Sequence, residues 1–271
     1  MKEYRVAGHV SSFLPEDKEF KLVWADEFDG PELDTDKWEF RMNFWGKPFE
    51  GYTDRGIRFD GRSNIELHRT EKDRYYVGPT LQTASLSFDL PRSGHKPISG
   101  VEWPVGELHE PKFMHRFGYY EIRCKLMKEP EIMWAAFWTQ SPSIGMAYDP
   151  EWCCVESDIM ECFKKGEITT GNIMGGYGAQ RRQEGRVFYS IERPDDFHTF
   201  AMYWSPTEYI FYCDGNVVSR AHEHVSQVPQ FLLLTSEVQG WRKGKGGPPK
   251  VGPVFRDDAL VIDYVRVFDE V

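Results

Sequence analysis

Six residues, Glu156-Ser157-Asp158-Ile159-Met160-Glu161, carry three carboxyls inside a segment, Trp152 to Phe163, that is otherwise rich in Trp, Cys, Val, Ile, Met and Phe. A carboxylate among apolar side chains is costly unless it has a partner or a task. The spacing suggests a task. On a strand, residues two apart share a face, so Glu156 and Asp158 point the same way. Strict alternation would put Met160 next on that face and Glu161 on the other. A β-bulge adds one residue and returns Glu161 to the face of the first two. The result is a row of three carboxyls facing a groove, and two carboxyls about 5–5.5 Å apart are what double displacement at a sugar's anomeric carbon needs. Helical geometry fits less well, because at about 100° per residue Glu156 and Asp158 would lie about 200° apart. The competing reading is a solvated, charged edge strand in which the acids have no joint role.

Such a row needs a sheet to hold it, and the rest of the chain supplies one. Short apolar and aromatic runs alternate with turn signals such as Phe59-Asp60-Gly61-Arg62-Ser63-Asn64, Tyr76-Val77-Gly78-Pro79 and Cys213-Asp214-Gly215-Asn216. Asp-Gly between two such runs predicts a hairpin. Residues 1–18 read as an arm or first edge strand, with a turn at Pro15-Glu16-Asp17. Residues 89–112 and 240–253, rich in Gly and Pro, read as long loops, which on a β-scaffold usually carry function. Aromatics make up 15% of the 271 residues and helical apolar periodicity is scarce, which favours sheets with aromatic-lined grooves. No Pro-rich or Ser/Gly linker divides the chain, so a single domain is expected, built as a sandwich of two curved antiparallel sheets.

Lys and Arg total 33 against 43 Asp and Glu, a net charge of −10. That balance argues against general binding to nucleic acid or an anionic membrane. No run approaches the ~18 apolar residues of a membrane span, and the chain is expected to act as a monomer. Met1-Lys2-Glu3-Tyr4-Arg5 lacks the apolar core of a signal peptide. Either a leader has been trimmed or the protein is intracellular. Five cysteines, Cys124, Cys153, Cys154, Cys162 and Cys213, favour the second reading, because buried free thiols persist in a reducing compartment.

Around the acid motif, several segments resemble glycoside hydrolase family 16, and the bulged Glu-x-Asp-x-x-Glu pattern is similar to that family's signature. Val23-Trp24-Ala25-Asp26-Glu27-Phe28-Asp29-Gly30, with Leu33-Asp34 and Lys37-Trp38, looks like the family's opening. Phe117-Gly118-Tyr119-Tyr120-Glu121-Ile122-Arg123 resembles its central strand, and Trp134-Ala135-Ala136-Phe137-Trp138 the strand before the acids. Phe197-His198-Thr199-Phe200 through Trp204, then Phe211-Tyr212-Cys213-Asp214-Gly215, look like a later hairpin, and Ile262-Asp263-Tyr264-Val265-Arg266-Val267 the closing strand. The resemblance implies a β-jelly roll with its cleft along the concave sheet. It implies Glu156 as nucleophile, Glu161 as general acid and base, and Asp158 as a residue that hydrogen-bonds the nucleophile and keeps the charges apart. No cofactor is required for that chemistry. In many relatives a structural calcium lies on the convex side, and Glu27 and Asp263 fall in the segments that flank it; a surface salt bridge is the alternative.

For the substrate, Trp138 resembles the family's active-site tryptophan and would stack on a sugar face. Trp134 shares its strand face, and Trp45 and Phe44 could shape a distal subsite. Thr235-Ser236-Glu237-Val238-Gln239-Gly240-Trp241-Arg242 resembles a strand of agarase-like galactanases, with Glu237, Gln239 and Trp241 as contacts to sugar. Arg181, Arg182 and Arg186 could bind sulfate bidentately. These features imply a red-algal β-galactan, with laminarin-type β-1,3-glucan as the alternative. A non-catalytic carbohydrate-binding jelly roll would not need both glutamates, and a glycan transferase would differ in its acceptor-side platforms.

Overall fold

The computed structural model describes residues 1–44, 47–84, 111–129, 132–142, 144, 155–176, 179, 181–242 and 247–271. Trp45, Cys153, Cys154, most of the 89–112 loop and part of the 240–253 loop lie outside the described residues, as do the side chains of Phe44 and Lys47. Among the described residues there is no helix, and two antiparallel sheets face one another in a jelly-roll sandwich.

The principal strands are β1 (Phe20–Asp26), β2 (Ile65–His68), β3 (Tyr75–Gln82), β4 (Gly118–Lys125), β5 (Met133–Gln140), β6 (Val155–Lys164), β7 (Glu167–Met174), β8 (Arg182–Ser190), β9 (Phe197–Trp204), β10 (Tyr209–Cys213), β11 (Asn216–Ala221), β12 (Phe231–Val238) and β13 (Ala259–Glu270). The front sheet runs β3-β12-β5-β6-β7-β8. The back sheet runs β11-β10-β9-β4-β13-β2, with β1 also paired to β13. Strands β5 to β8 follow one another in the front sheet and β9 to β11 in the back. The chain then crosses so that β12 enters between β3 and β5, and β13 between β4 and β2.

The core lies between the sheets and includes Tyr120, Ile122 and Cys124 of β4, Ile159, Met160 and Cys162 of β6, and Leu232 and Leu234 of β12. The outer face of the back sheet is also covered. Lys2–Tyr4 and Ser12–Leu14 pair as a hairpin, and Leu14 and Tyr4 pack on Tyr119, Tyr203, Tyr212 and Phe268. The expected first edge strand is therefore a separate two-stranded flap over the sandwich. The Asp60-Gly61 and Asp214-Gly215 signals do form hairpins, joining Ile57–Phe59 to β2 and β10 to β11. Tyr76-Val77-Gly78-Pro79 does not turn; it runs straight through β3. Gly78 is there for close approach, since a Cβ would stand 1.6 Å from the Ser236 carbonyl oxygen. Cys124, Cys162 and Cys213 are all buried in the core between the sheets.

Candidate active site

Strand β6 is the seat of the site, and its bulge is where the alternation predicts it. Phe137 of β5 pairs with Met160 and the next residue, Trp138, pairs with Asp158, so Ile159 is the extra residue. On the other side Asp158 pairs with Gly171 and Glu161 with Thr169, and the register shifts between them. Ile159 and Met160 both enter the core. That double insertion turns Glu161 back to the face of Glu156 and Asp158. The three acids, with Phe163 two residues on, line one cavity of about 680 Å³ on the front sheet. Trp134, Ala136 and Trp138 of β5 line it too, as period-two alternation requires. Thr235 of β12, Ile173 of β7, Arg181, Arg186, Phe49, Trp241 and Arg242 complete the wall.

All three acids are nearly buried, at 6%, 3% and 4% exposure for Glu156, Asp158 and Glu161. Burial pushes the Glu161 carboxyl up to about 7, against the pull of the Arg186 guanidinium 3.5 Å away. Burial, then the charges of Glu161 and Glu156, hold Asp158 well above the usual carboxylate range. Asp158 Oδ2 and Glu161 Oε2 have no other hydrogen-bond partner, and a proton held on Asp158 is donated to Glu161. Trp134 Nε1 donates to Glu161 Oε1 at 3.1 Å. Asp158 and Glu161, both raised by burial and by the Glu156 charge, can hold a proton for acid work beside a third carboxyl.

The aromatic residues sit as expected, with a qualification for Trp138. It lines the cavity but is 7% exposed, so it presents a narrow floor. Its Nε1 donates to Thr235 Oγ1 at 2.9 Å, and the guanidinium of buried Arg41 lies 5.7 Å from its ring centroid. Trp134 is half-buried, packed on Phe163 with ring centroids 4.9 Å apart and covered by Arg242 at 4.7 Å. Trp241 donates from Nε1 to the Tyr76 carbonyl, which turns its ring toward the cavity.

Other expected contacts point elsewhere. Glu237 does not line the cavity; it is 1% exposed, and Arg242 holds both of its oxygens, Nε to Oε1 at 3.0 Å and Nη2 to Oε2 at 2.8 Å. Gln239 donates to the carbonyls of Phe163 and Met133 at 2.9 and 3.3 Å, so it secures backbone behind the site. Both corrections have one cause: a paired buried carboxylate and a bonded amide are favoured over ones left open to solvent. Arg181 lines the cavity, whereas Arg182 is exposed and does not. His198 is structural, bonded to Asp214 and to the Arg193 carbonyl.

The calcium pair does not fit a cation. Arg266, fully buried, takes both oxygens of Glu27 at 2.8 Å and also donates to Ser12 Oγ and the Val10 carbonyl. Asp263 is held by Arg123 at 2.5 Å. Among the described residues no group of three or more Asp, Glu, His or Cys could hold a metal ion. Sequence reasoning missed Phe163, Phe49 and Thr235. Alternation past Glu161 could have found Phe163, but nothing local announces Phe49, which reaches the site from outside the strands of the acid row.

A jelly roll with a buried triple-carboxyl row beneath tryptophans defines a glycan-cleaving class, and comparison with known proteins agrees. The model of glycosyl hydrolases family 16 matches residues 82–245, more than half of the chain. The chain belongs to that family and is an O-glycosyl hydrolase. It is 27% identical over 276 residues to a β-glucanase of Rhodothermus marinus, covering 92% of this chain and 85% of that protein. It is 21% identical to glucan endo-1,3-β-glucosidase A1 of Niallia circulans, over 92% of this chain but only 38% of that protein. In fold it is similar to the endo-β-1,3-glucanase of Pyrococcus furiosus, with a TM-score of 0.68 and 23% identity over 94% of this chain and 97% of that one.

Proposed function

We propose that this chain is a retaining endo-β-glucanase acting on laminarin-type β-1,3-glucan. The observation that carries the chemistry is the bulge that brings Glu156, Asp158 and Glu161 to one cavity wall. In this reading Glu156 attacks the anomeric carbon as Glu161 protonates the leaving glycosidic oxygen, giving a glycosyl ester on Glu156. Glu161 then takes a proton from water, the water oxygen attacks the same carbon, and the ester bond to Glu156 breaks. Asp158 shares a proton with Glu161 and keeps the row from carrying three adjacent charges. Trp138 and Trp134 supply apolar contact to the sugar rings.

The substrate is supported by the names of the relatives, a β-glucanase and an endo-1,3-β-glucosidase among them. The galactan expectation loses support with Glu237, whose oxygens Arg242 holds, and with Gln239, whose amide nitrogen donates to backbone carbonyls. The test is a panel of laminarin, lichenan, agarose, porphyran and carrageenan, with products resolved by mass and the first-formed anomer read by proton NMR. Laminarin oligosaccharides of retained configuration are expected. Cleavage of a galactan with laminarin untouched would overturn the substrate, and an inverted first product would overturn the double displacement.

A further inference from the structure

Arg186 stands on β8, with β7 between it and the acid row, yet its guanidinium lies 3.7 Å from Asp158 and 3.5 Å from Glu161. Two local devices let it reach. Thr170 pairs with Val187 and Asn172 with Glu184, so Gly185 and Arg186 together oppose the single residue Gly171. This second bulge lies beside the first, because Gly171 is the partner of Asp158. Gly171 has φ +142°, and a Cβ there would stand 2.6 Å from the Arg186 Cα. The guanidinium is also held from its far side. It lies 5.5 Å from the Phe188 ring centroid, and Gln183, with its amide oxygen turned toward it, accepts from Arg186 Nη1 at 3.2 Å and Nε at 3.3 Å. A cation fixed this way and aimed at two buried carboxyls is built for them. That leaves little reason to read Arg186 as a sulfate contact.

We propose that Arg186 is a positioning residue for the acid/base: its fixed positive charge stabilises the Glu161 carboxylate that is left once the leaving group has taken the proton. The proposal rests on the reading of Glu161 as acid and base. In the first half-reaction the Glu161 proton passes to the glycosidic oxygen as the C–O bond breaks and Glu156 bonds the anomeric carbon. Glu161 is then an anion in a water-poor site. It must stay ionised until it takes a proton from the attacking water. The charged and titratable groups facing it are Glu156 and Asp158 on its own strand, Arg186 and Arg181 from beyond β7, and the Glu237–Arg242 pair by way of Trp134. Burial and the Glu156 charge favour the proton on Glu161, and the Arg186 cation, with the hydrogen bonds from Trp134 and Asp158, opposes them. Without that cation Glu161 should bind its proton again from solvent before water attacks, and the glycosyl-enzyme should accumulate.

The experiment compares the wild type with Arg186→Gln and Arg186→Lys on soluble laminarin oligosaccharides, reading kcat and kcat/KM against pH, with Glu161→Gln in parallel. In Arg186→Gln the basic limb of kcat/KM should move up by about one pH unit or more, while KM changes by less than about threefold. A pre-steady-state burst from an aryl glycoside with a good leaving group should grow at neutral pH. Arg186→Lys keeps the charge and should restore the wild-type limb. An unmoved limb with KM raised about tenfold would make Arg186 a substrate contact and overturn the proposal. So would Arg186→Lys behaving like Arg186→Gln. If Arg186→Gln fails to fold, Gln183→Leu loosens the guanidinium and should shift the limb the same way by less; no shift there overturns the proposal. An inactive Glu161→Gln with an unmoved Arg186→Gln limb defeats only this inference. A fully active Glu161→Gln defeats the acid/base reading itself.

Discussion

At the scale of single residues, the site depends on how burial divides the work of three carboxyls. Glu156→Gln and Glu161→Gln should each lower kcat by about 10²–10⁴-fold or more, because a nucleophile and a proton donor act in the transition state. Their melting temperatures should equal or slightly exceed that of the wild type, since each change removes a buried acid. Near wild-type turnover in either variant would refute the assignment. Trp134 bears on the same proton. Its Nε1 donates to Glu161 and favours the ionised form. Trp134→Phe keeps the aromatic face and loses the donor, so the basic limb of the pH–rate profile, expected to follow Glu161, should move upward relative to the wild type. A downward shift would mean that the hydrogen bond serves the protonated acid instead.

At the scale of strands, two adjacent bulges do the aiming. Ile159 is the extra residue that turns Glu161 to the cavity. Deleting it restores strict alternation through Glu156, Asp158 and Glu161, so the row stays on the cavity face while one core side chain is lost. A less stable but folded protein that keeps part of its activity is expected, and a folded variant with no activity would show that the row needs the bulge's own geometry. Gly171→Ala is the finer probe. Its φ of +142° and the 2.6 Å approach to the Arg186 backbone leave no room for a methyl group. The variant should lose about 1–3 kcal/mol of stability by denaturant melts and part of its activity. Wild-type behaviour on both counts would contradict the close packing of β7 on β8.

Across the whole molecule, buried carboxyls set the direction of the pH response. Glu121, 1% exposed on β4, is pushed up to about 7 chiefly by burial, as Glu161 is. Their ordinary value is 4.5, so between about 4.5 and 7 the folded state binds more protons than the unfolded chain. Stability from these groups is therefore fully present below that range and falls as pH rises through it, by on the order of 3 kcal/mol per group. Scanning calorimetry should find a higher melting temperature near pH 5 than near pH 8, with a flatter slope in Glu121→Gln. A rise toward pH 8 would reverse the sign argued here. The Arg266–Glu27 clamp ties the N-terminal flap to the sandwich where a cation was expected. A chelator should leave the melt unchanged, whereas a calcium-dependent gain of several degrees would restore the cation.

The chemistry of the acid row was legible in the chain, because strand parity and a single bulge are local. Glu156, Asp158 and Glu161, with Trp134 and Trp138 on the next strand, fall on one wall by counting residues. So was the all-β class, written in aromatic runs broken by Asp-Gly turns. Tyr76-Val77-Gly78-Pro79 misled because its glycine answers to the backbone of β12, a neighbour some 160 residues away in sequence. The same distance in sequence hid the fate of the charges. Which arginine meets which acid depends on strand order and register, so Arg242 on Glu237, Arg266 on Glu27 and Arg186 on Glu161 emerge only when the sheets are assembled. Residue type and spacing determined what chemistry the chain could carry. Tertiary structure decided which polar groups were left to face the cavity, because a buried charge is claimed by whatever opposite charge the fold brings within about 4 Å.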